Sequence, residues 1–524
     1  MNLASFKFSA ASAWKKLPRE IRELKSLAQF KDSTIPSVAS TSQEGQENRT
    51  LKVTLLSNEW KSSTDGELST INRELAIQLA KHPNVDVSVL LPSCSREDRS
   101  SAKSHNVKLI EAQRVPGVEP VLWLSSPPRN HTMDCVIGHG VHLGRLITHP
   151  NYCHCKWIQV VHSAPEEDGM YRNISEGQKK QETEIQLCKM ADQVVTIGPK
   201  LAEAYKRYLR PSKQGENVFD LTPSIFSEFL EKEQATEERQ TFYVLVIGSG
   251  DSCEDFTVKG YDIAAKAIAE LKDESYKLRF VCAPGGKGDQ TAEKLLHYGV
   301  SRNQLLVHSF NDSREVLANL FCEADLAIMP SRTDGFGITA LEALSAGLPI
   351  LVSSNSGLGE ALKKVSLGSQ CVVDSEDPKD WAREIKRVRQ KVREVRLSES
   401  RSLRKKYMKE YSWNEACRRL VNRMYELTFG LSESGTIFPI SDKRPTPFVA
   451  ADQPSKRLRE ELIHSTHHER QGSSSSSSPA PVAVDHTQGS LSEAFVNQNY
   501  HGSQNYPQSE YRKFLIIWCL NKLQ

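Results

Sequence analysis

The stretch 327-AIMPSRTDGFGITALEALSAGLPILVSSNSGLGE-360 decides how the rest of the chain is read. An apolar run from Leu326 to Met329 stops at Pro330 and Ser331, as a strand buried on both faces does. Gly335 and Gly337 flank Phe336 in the turn that follows. The spacing then predicts a helix from Ile338 to about Ala346, capped by Gly347 and barred from continuing by Pro349. A second apolar run occupies 349–353. Strand, turn, helix and strand joined by such short connections imply a parallel sheet of α/β type.

Two glycines ahead of a helix let a ligand approach the backbone, and the free N–H groups at the helix start favour oxygen or negative charge. Asp334 stands at the turn, and Glu342 lies about two turns into the helix on the face the turn uses. Paired carboxylates suit a ligand rich in hydroxyls, since each accepts bidentate hydrogen bonds from a diol. The residues alone equally allow Asp334 as a helix cap and Glu342 as part of a solvated face.

The pattern PS-x-x-D-G-F-G-x-x-x-L-E-A-x-x-x-G-x-P resembles the donor-site signature of the family 4 glycosyltransferases, retaining enzymes of the GT-B fold. That signature carries two glutamates separated by seven residues. Asp334 and Glu342 keep the spacing, with aspartate in place of the first glutamate, and the closing G-G-x-P-E appears in looser form as Ser356 to Glu360. The resemblance implies a nucleotide-sugar donor, UDP by default, as a co-substrate with no cofactor and no metal. Asp334, the turn Gly335-Phe336-Gly337 and His162 would hold the donor sugar, and Glu342 the ribose. It also implies sugar transfer with retention, in which the departing diphosphate helps to deprotonate the acceptor on the same face.

The chain has 524 residues, enough for two or three domains, and its 38% hydrophobic content leaves part of it as tail. A net charge of +3 from 68 basic and 65 acidic side chains argues against nucleic acid as a generic partner. Eleven cysteines are scattered, several within apolar runs, as expected of reduced thiols. The cluster His149 to Cys155 has no spaced second pair of ligands, so a structural zinc is disfavoured. No stretch approaches the roughly 18 apolar residues of a membrane span, and charges near the N-terminus break any secretory signal. The reading is cytoplasmic; the acid-free first nineteen residues also fit a mitochondrial presequence.

Residues 1–50 read as an N-terminal arm with a basic helical stretch, and 51–210 as a first Rossmann-like domain on the acceptor side. Its first strand, Leu51 to Ser57, leads through Asp65-Gly66 into a periodic helix ending near Lys81. The family has a Gly-Gly loop at this place, of which Gly66 remains; alone, it is equally a turn residue. A strand ending at His162 puts a histidine where the family often has one facing the donor; such a residue is also commonly structural. Residues 211–240 read as a linker, and 241–410 as a second Rossmann-like domain that binds the donor. Its first strand, Phe242 to Ile247, leads into the loop Gly248-Ser249-Gly250, where the resemblance makes Gly248 a donor-binding residue, and Lys259-Gly260 matches the family pair whose ammonium neutralises the diphosphate. Ser249 stands where the family has arginine. A long basic helix is predicted from Asp377-Pro378 to Tyr411, and 411–430 as a crossover helix returning to the first domain. Residues 431–524 form a low-complexity tail whose apolar end, Phe514 to Leu520, is a candidate docking segment for a protein partner.

The fold class is thus α/β, two doubly wound domains facing across a cleft. A catalytically degenerate binding module is the alternative, on the strength of Ser249, Asp334 and the reduced Gly66 loop. An unrelated dinucleotide-dependent oxidoreductase would need G-x-G-x-x-G after a first strand, which neither domain has.

Overall fold

The computed structural model describes residues 49–60, 66–212, 215–248, 253–282, 288–309 and 314–430. All of them fall in one compact unit, Met1–Ser441; the second unit, Asp442–Gln524, contains none. The predicted N-terminal helix, Asp65, Ser249 and the apolar segment Phe514 to Leu520 therefore lie outside the described residues.

Two parallel sheets organise the chain. The first contains β1 (Leu51–Leu56), β2 (Val85–Leu91), β3 (Val107–Glu111), β4 (Cys135–His139), β5 (Lys156–Val161), β6 (Gln193–Ile197) and β7 (Val218–Leu221), in the order β3-β2-β1-β4-β5-β6-β7. The second contains β8 (Phe242–Gly248), β9 (Tyr276–Cys282), β10 (Leu305–Ser309), β11 (Leu326–Met329), β12 (Ile350–Ser353) and β13 (Val372–Val373), in the order β10-β9-β8-β11-β12-β13. Strands such as β11 and β12 are apolar almost throughout because helices cover both sheet faces and leave no solvated side to alternate with. The chain has the GT-B arrangement of two Rossmann-like domains.

In each sheet the strand order reverses once, between β1 and β4 and between β8 and β11. At such a switch point the flanking connections leave in opposite directions and open a crevice beyond the carboxyl ends of the strands. Those four strand ends therefore fix where a ligand site can be built.

Two predicted elements need correction. The stretch read as a linker, 211–240, contains β7, which pairs in register with β6 from Val194↔Val218 to Ile197↔Leu221. Four residues with Asp220 among them give no apolar run to read. The single long basic helix is two, Pro378–Arg389 and Arg393–Glu410, with Arg393 turned inward at the break. Its guanidinium, 1% exposed, pairs with the equally buried Asp325 and donates to the carbonyl oxygens of Ala235 and Ala324.

The last helix, Trp413–Phe429, returns to the first domain, where the Tyr425 hydroxyl lies 2.9 Å from the carbonyl oxygens of both Arg49 and Asn84. The outgoing and returning crossings are bonded to each other: Tyr407 donates to the carbonyl of Pro223 at 2.9 Å, and Ser224 donates to that of Tyr411.

Candidate functional site

The segment after β8 and the turn after β11 are clamped together by Arg332. Its guanidinium forms a bidentate pair with Asp262 at 2.7 and 3.0 Å and reaches Glu376 at 3.1 Å, while its backbone N–H donates to Val258 at 2.8 Å. The clamp brings Lys259 to the turn, and its ammonium lies 3.0 Å from Asp334 Oδ2. The same oxygen accepts from the Ser331 hydroxyl at 3.1 Å. Asp334 is buried, whereas Lys259 is about a third exposed towards the cleft. Burial works against the charge on Lys259, but Asp334 and then Glu67 outweigh it and hold the ammonium charged well above the usual lysine range.

Gly337 has φ +100°, a conformation open to glycine, and heads the Ile338–Ser345 helix with no side-chain cap of its own domain. The cap comes from across the cleft. The Ile338 N–H donates to Glu67 Oε1 at 2.7 Å, and Glu67 is the first residue of the Glu67–Leu79 helix behind β1. Asp334 is therefore not the cap. Burial, followed by the nearby Asp334 charge, pushes Glu67 up to about 7, against the pull of Lys259 and the Ile338 bond. Gly66, at φ +59°, sets the direction in which Glu67 leaves the turn.

The glycine-flanked turn touches the first domain directly. A side chain at Gly335 would overlap the carbonyl oxygen of His162, and one at Gly198 would overlap the ring of the buried Phe336. Lys200 spans the same seam, donating to Thr333 Oγ1 at 3.0 Å and to the carbonyls of Asp334 and Asn355 at 3.2 and 3.1 Å. Glu167 closes this network at 2.7 Å from Lys200 and 2.8 Å from the Thr333 hydroxyl.

His162 follows β5, and its Nε2 lies 2.7 Å from Nδ1 of the fully buried His139 at the end of β4. Burial pushes His162 down to about 4, so the imidazole is neutral across the physiological range. With Nε2 engaged by His139, Nδ1 is the nitrogen left to meet a ligand.

The remaining predicted residues sit differently. Glu342 is buried and its carboxylate is paired with Arg314, which also donates to Glu228 at 2.9 Å and lies over the Phe229 ring at 4.7 Å. Burial raises the Glu342 pKa and Arg314 opposes the rise. Gly248 backs onto Tyr261, whose hydroxyl a side chain would overlap, so it serves packing beneath the site. Lys259, Asp334, Gly335 to Gly337, His162 and Gly66 thus converge on one cleft, while the Glu342 carboxylate is turned onto Arg314. Sequence reasoning passed over Glu67, Lys200, Glu167, His139 and Arg314. Among the described residues no group of three His, Cys, Asp or Glu is arranged to hold a metal ion, and no helix is long and apolar enough to cross a membrane.

The arrangement places a cation and a buried carboxylate beside a helix start whose first amide is held by a carboxylate of the other domain. A similar architecture occurs in the sucrose-phosphate synthase of Thermosynechococcus elongatus (TM-score 0.58, 17% identity, 73% of this chain and 100% of that one). It occurs also in Anabaena Alr3699/HepE in complex with UDP and glucose (TM-score 0.53, 13% identity, 71% and 99%). A curated relative, the D-inositol 3-phosphate glycosyltransferase of Xylanimonas cellulosilytica, is 33% identical over 129 residues, covering 24% of this chain and 30% of the relative. The chain thus spans under a third of the length of that relative. The profile of the family described as "Family 4 Glycosyltransferase in conflict systems" matches residues 54–420, and the chain belongs to that family.

Proposed function

We propose that the protein transfers a sugar from a nucleotide-sugar donor, a UDP-sugar by default, to an acceptor hydroxyl, with retention, without a metal ion and in the cytoplasm. The observation that carries this is the Lys259–Asp334 pair at the switch point of the second sheet, facing His162 and Glu67 of the first. A diphosphate needs a fixed cation and a sugar needs fixed acceptors, and the two occur within one hydrogen bond of each other. The complex of Alr3699/HepE with UDP and glucose supports a nucleotide sugar as the donor class.

In this reading the bond from the anomeric carbon to the diphosphate breaks, and its electron pair goes to the phosphate oxygen that Lys259 stabilises. The acceptor oxygen bonds to the same face of that carbon, and its proton passes to the departing phosphate. Asp334, the amides at Gly335 to Gly337 and His162 Nδ1 hold the sugar hydroxyls, and Glu342 takes the ribose by exchanging its bond to Arg314. Gly66 places the acceptor-side loop against the donor. The competing reading is a binding module that keeps the site without turnover; it is favoured by Glu67 holding the helix-start amide.

Calorimetric titration of the full chain with UDP and with UDP-, GDP- and ADP-sugars, together with a sugar-release assay, separates these. Binding with turnover, both lost in Lys259→Ala, supports the transferase; binding without turnover supports the module; no binding at all overturns the donor site.

A further inference from the structure

The amide at the head of the Ile338–Ser345 helix is one of the groups available to a sugar or phosphate oxygen, and in this structure a carboxylate of the protein already occupies it. We infer that Glu67 is an internal competitor for the donor: it holds the Ile338 amide and must leave it for a nucleotide sugar to enter. The inference rests on the donor-site reading given above and assigns that site its own proton-linked gate.

The geometry is specific. Glu67 and Ile338 lie 271 positions apart in the chain, and their 2.7 Å bond joins the two domains at the ligand-facing end of both sheets. A carboxylate is the side chain best matched to a helix N-terminus, where the backbone partial charge is positive. Its charge, carried above about pH 7, falls where a diphosphate sugar would bring more anionic charge beside Asp334 and Glu342, with Lys259 as the attractive neighbour. Both cannot occupy the same amide. His162, with its pKa near 4, and Asp168 flank the same cleft from the first domain, and Asp168 is itself raised by burial.

Displacement has a sign that can be measured. In its recess Glu67 titrates near 7, whereas released to water it returns to about 4.5. Donor entry that expels Glu67 therefore releases a proton between those values, and affinity rises with pH through the window, by at most about tenfold per pH unit. A donor that instead bonds to Glu67 in place would drive its pKa further up, so that binding takes up a proton and weakens as pH rises.

UDP-glucose, with GDP-glucose and ADP-glucose in parallel, is titrated into the full-length protein, Glu67→Ala and Glu67→Gln at pH 5.5, 6.5 and 7.5. Buffers of different ionisation enthalpy count the protons. The expected result is proton release by the wild type and an affinity at least about tenfold higher at pH 7.5 than at 5.5. Glu67→Ala should lose most of that pH dependence and bind more tightly than wild type at pH 5.5. Glu67→Gln should be equally flat but weaker, since a neutral carboxamide still accepts from Ile338. His162 does not titrate in this range, and Asp168 and Glu342 are common to all three proteins, so the difference isolates Glu67. Proton uptake by the wild type, or weaker binding by Glu67→Ala at every pH, would make Glu67 a donor ligand and overturn the inference. Equal, parallel curves for wild type and Glu67→Ala would overturn it while leaving the donor site standing. No binding by any of the three proteins would sink the donor site and the inference together.

Discussion

Lys259 and Asp334 meet at 3.0 Å although they belong to connections that leave two different strands, β8 and β11. Their contact puts the cation of the site under the control of the residue that replaces the first glutamate of the family signature. Lys259→Ala should lower turnover by about 2–4 kcal/mol of transition-state stabilisation, roughly 30- to 1,000-fold. Steady-state kinetics with the donor as varied substrate checks it, and an unchanged kcat would remove Lys259 from the reaction.

Asp334 bonds Lys259 at 3.0 Å and Ser331 at 3.1 Å through one oxygen, and a glutamate at this position would carry its carboxylate one methylene further from the same backbone. Asp334→Glu should therefore depress activity rather than restore it, by as much as about a hundredfold for a displacement near 1 Å. A gain in kcat for this variant would show that the aspartate is a weakened glutamate and not a fitted one.

Gly335 packs its Cα against the carbonyl of His162 in the other domain. Gly335→Ala should keep the two domains from closing to this distance, lowering activity at least about tenfold while the melting temperature stays within a few degrees. Activity and thermal melting measured on the same sample test it; parallel loss of both would point to misfolding.

Glu184 is 3% exposed, one of its carboxylate oxygens is unpartnered, and burial pushes its pKa up to about 8. The folded protein then holds a proton that the unfolded chain has released above about 4.5. This contribution to stability is complete at low pH and is lost as pH rises towards about 8, at up to about 1.4 kcal/mol per pH unit. Glu67, also raised, adds a slope of the same sign below about 7. Urea unfolding at pH 5.5, 7 and 8.5 should show Glu184→Gln losing much of this slope and exceeding the wild type at the highest pH.

Arg393 and Asp325 are each 1% exposed and paired. Arg393→Ala leaves the buried Asp325 with Arg396 at 3.6 Å and the Tyr243 N–H at 2.9 Å in place of its closest cation, and should cost about 3 kcal/mol in denaturant unfolding. A loss below about 1 kcal/mol would mean that Arg396 or water takes over the pairing of Asp325.

The sequence carried those parts of the molecule that depend on neighbours along the chain. Leu326 to Met329, the Gly335 and Gly337 turn and the Gly347-Leu348-Pro349 stop are written within one short stretch, and strand, turn and helix form there. β7 escaped notice because four residues with a central Asp220 have neither an apolar run nor a usable period. The partners of the candidate site escaped for a different reason. Glu67 with Ile338, Glu342 with Arg314 and His139 with His162 are joined by folding and not by spacing. Asp334, which as a short acidic residue before a helix looked equally like a cap, is bound sideways to a lysine because a residue of the other domain caps that helix.

The two chain crossings between the domains lie side by side, tied by Tyr407 to Pro223 and by Ser224 to Tyr411. The second sheet is in effect a loop inserted into the first domain, which the last helix returns to complete. A body held by two adjacent tethers pinned at one place has one easy motion, a swing about that pin. A swing of that kind would draw Glu67 away from Ile338 and Gly335 away from His162 in the same stroke, so that access for a ligand and release of the internal carboxylate would be one mechanical event.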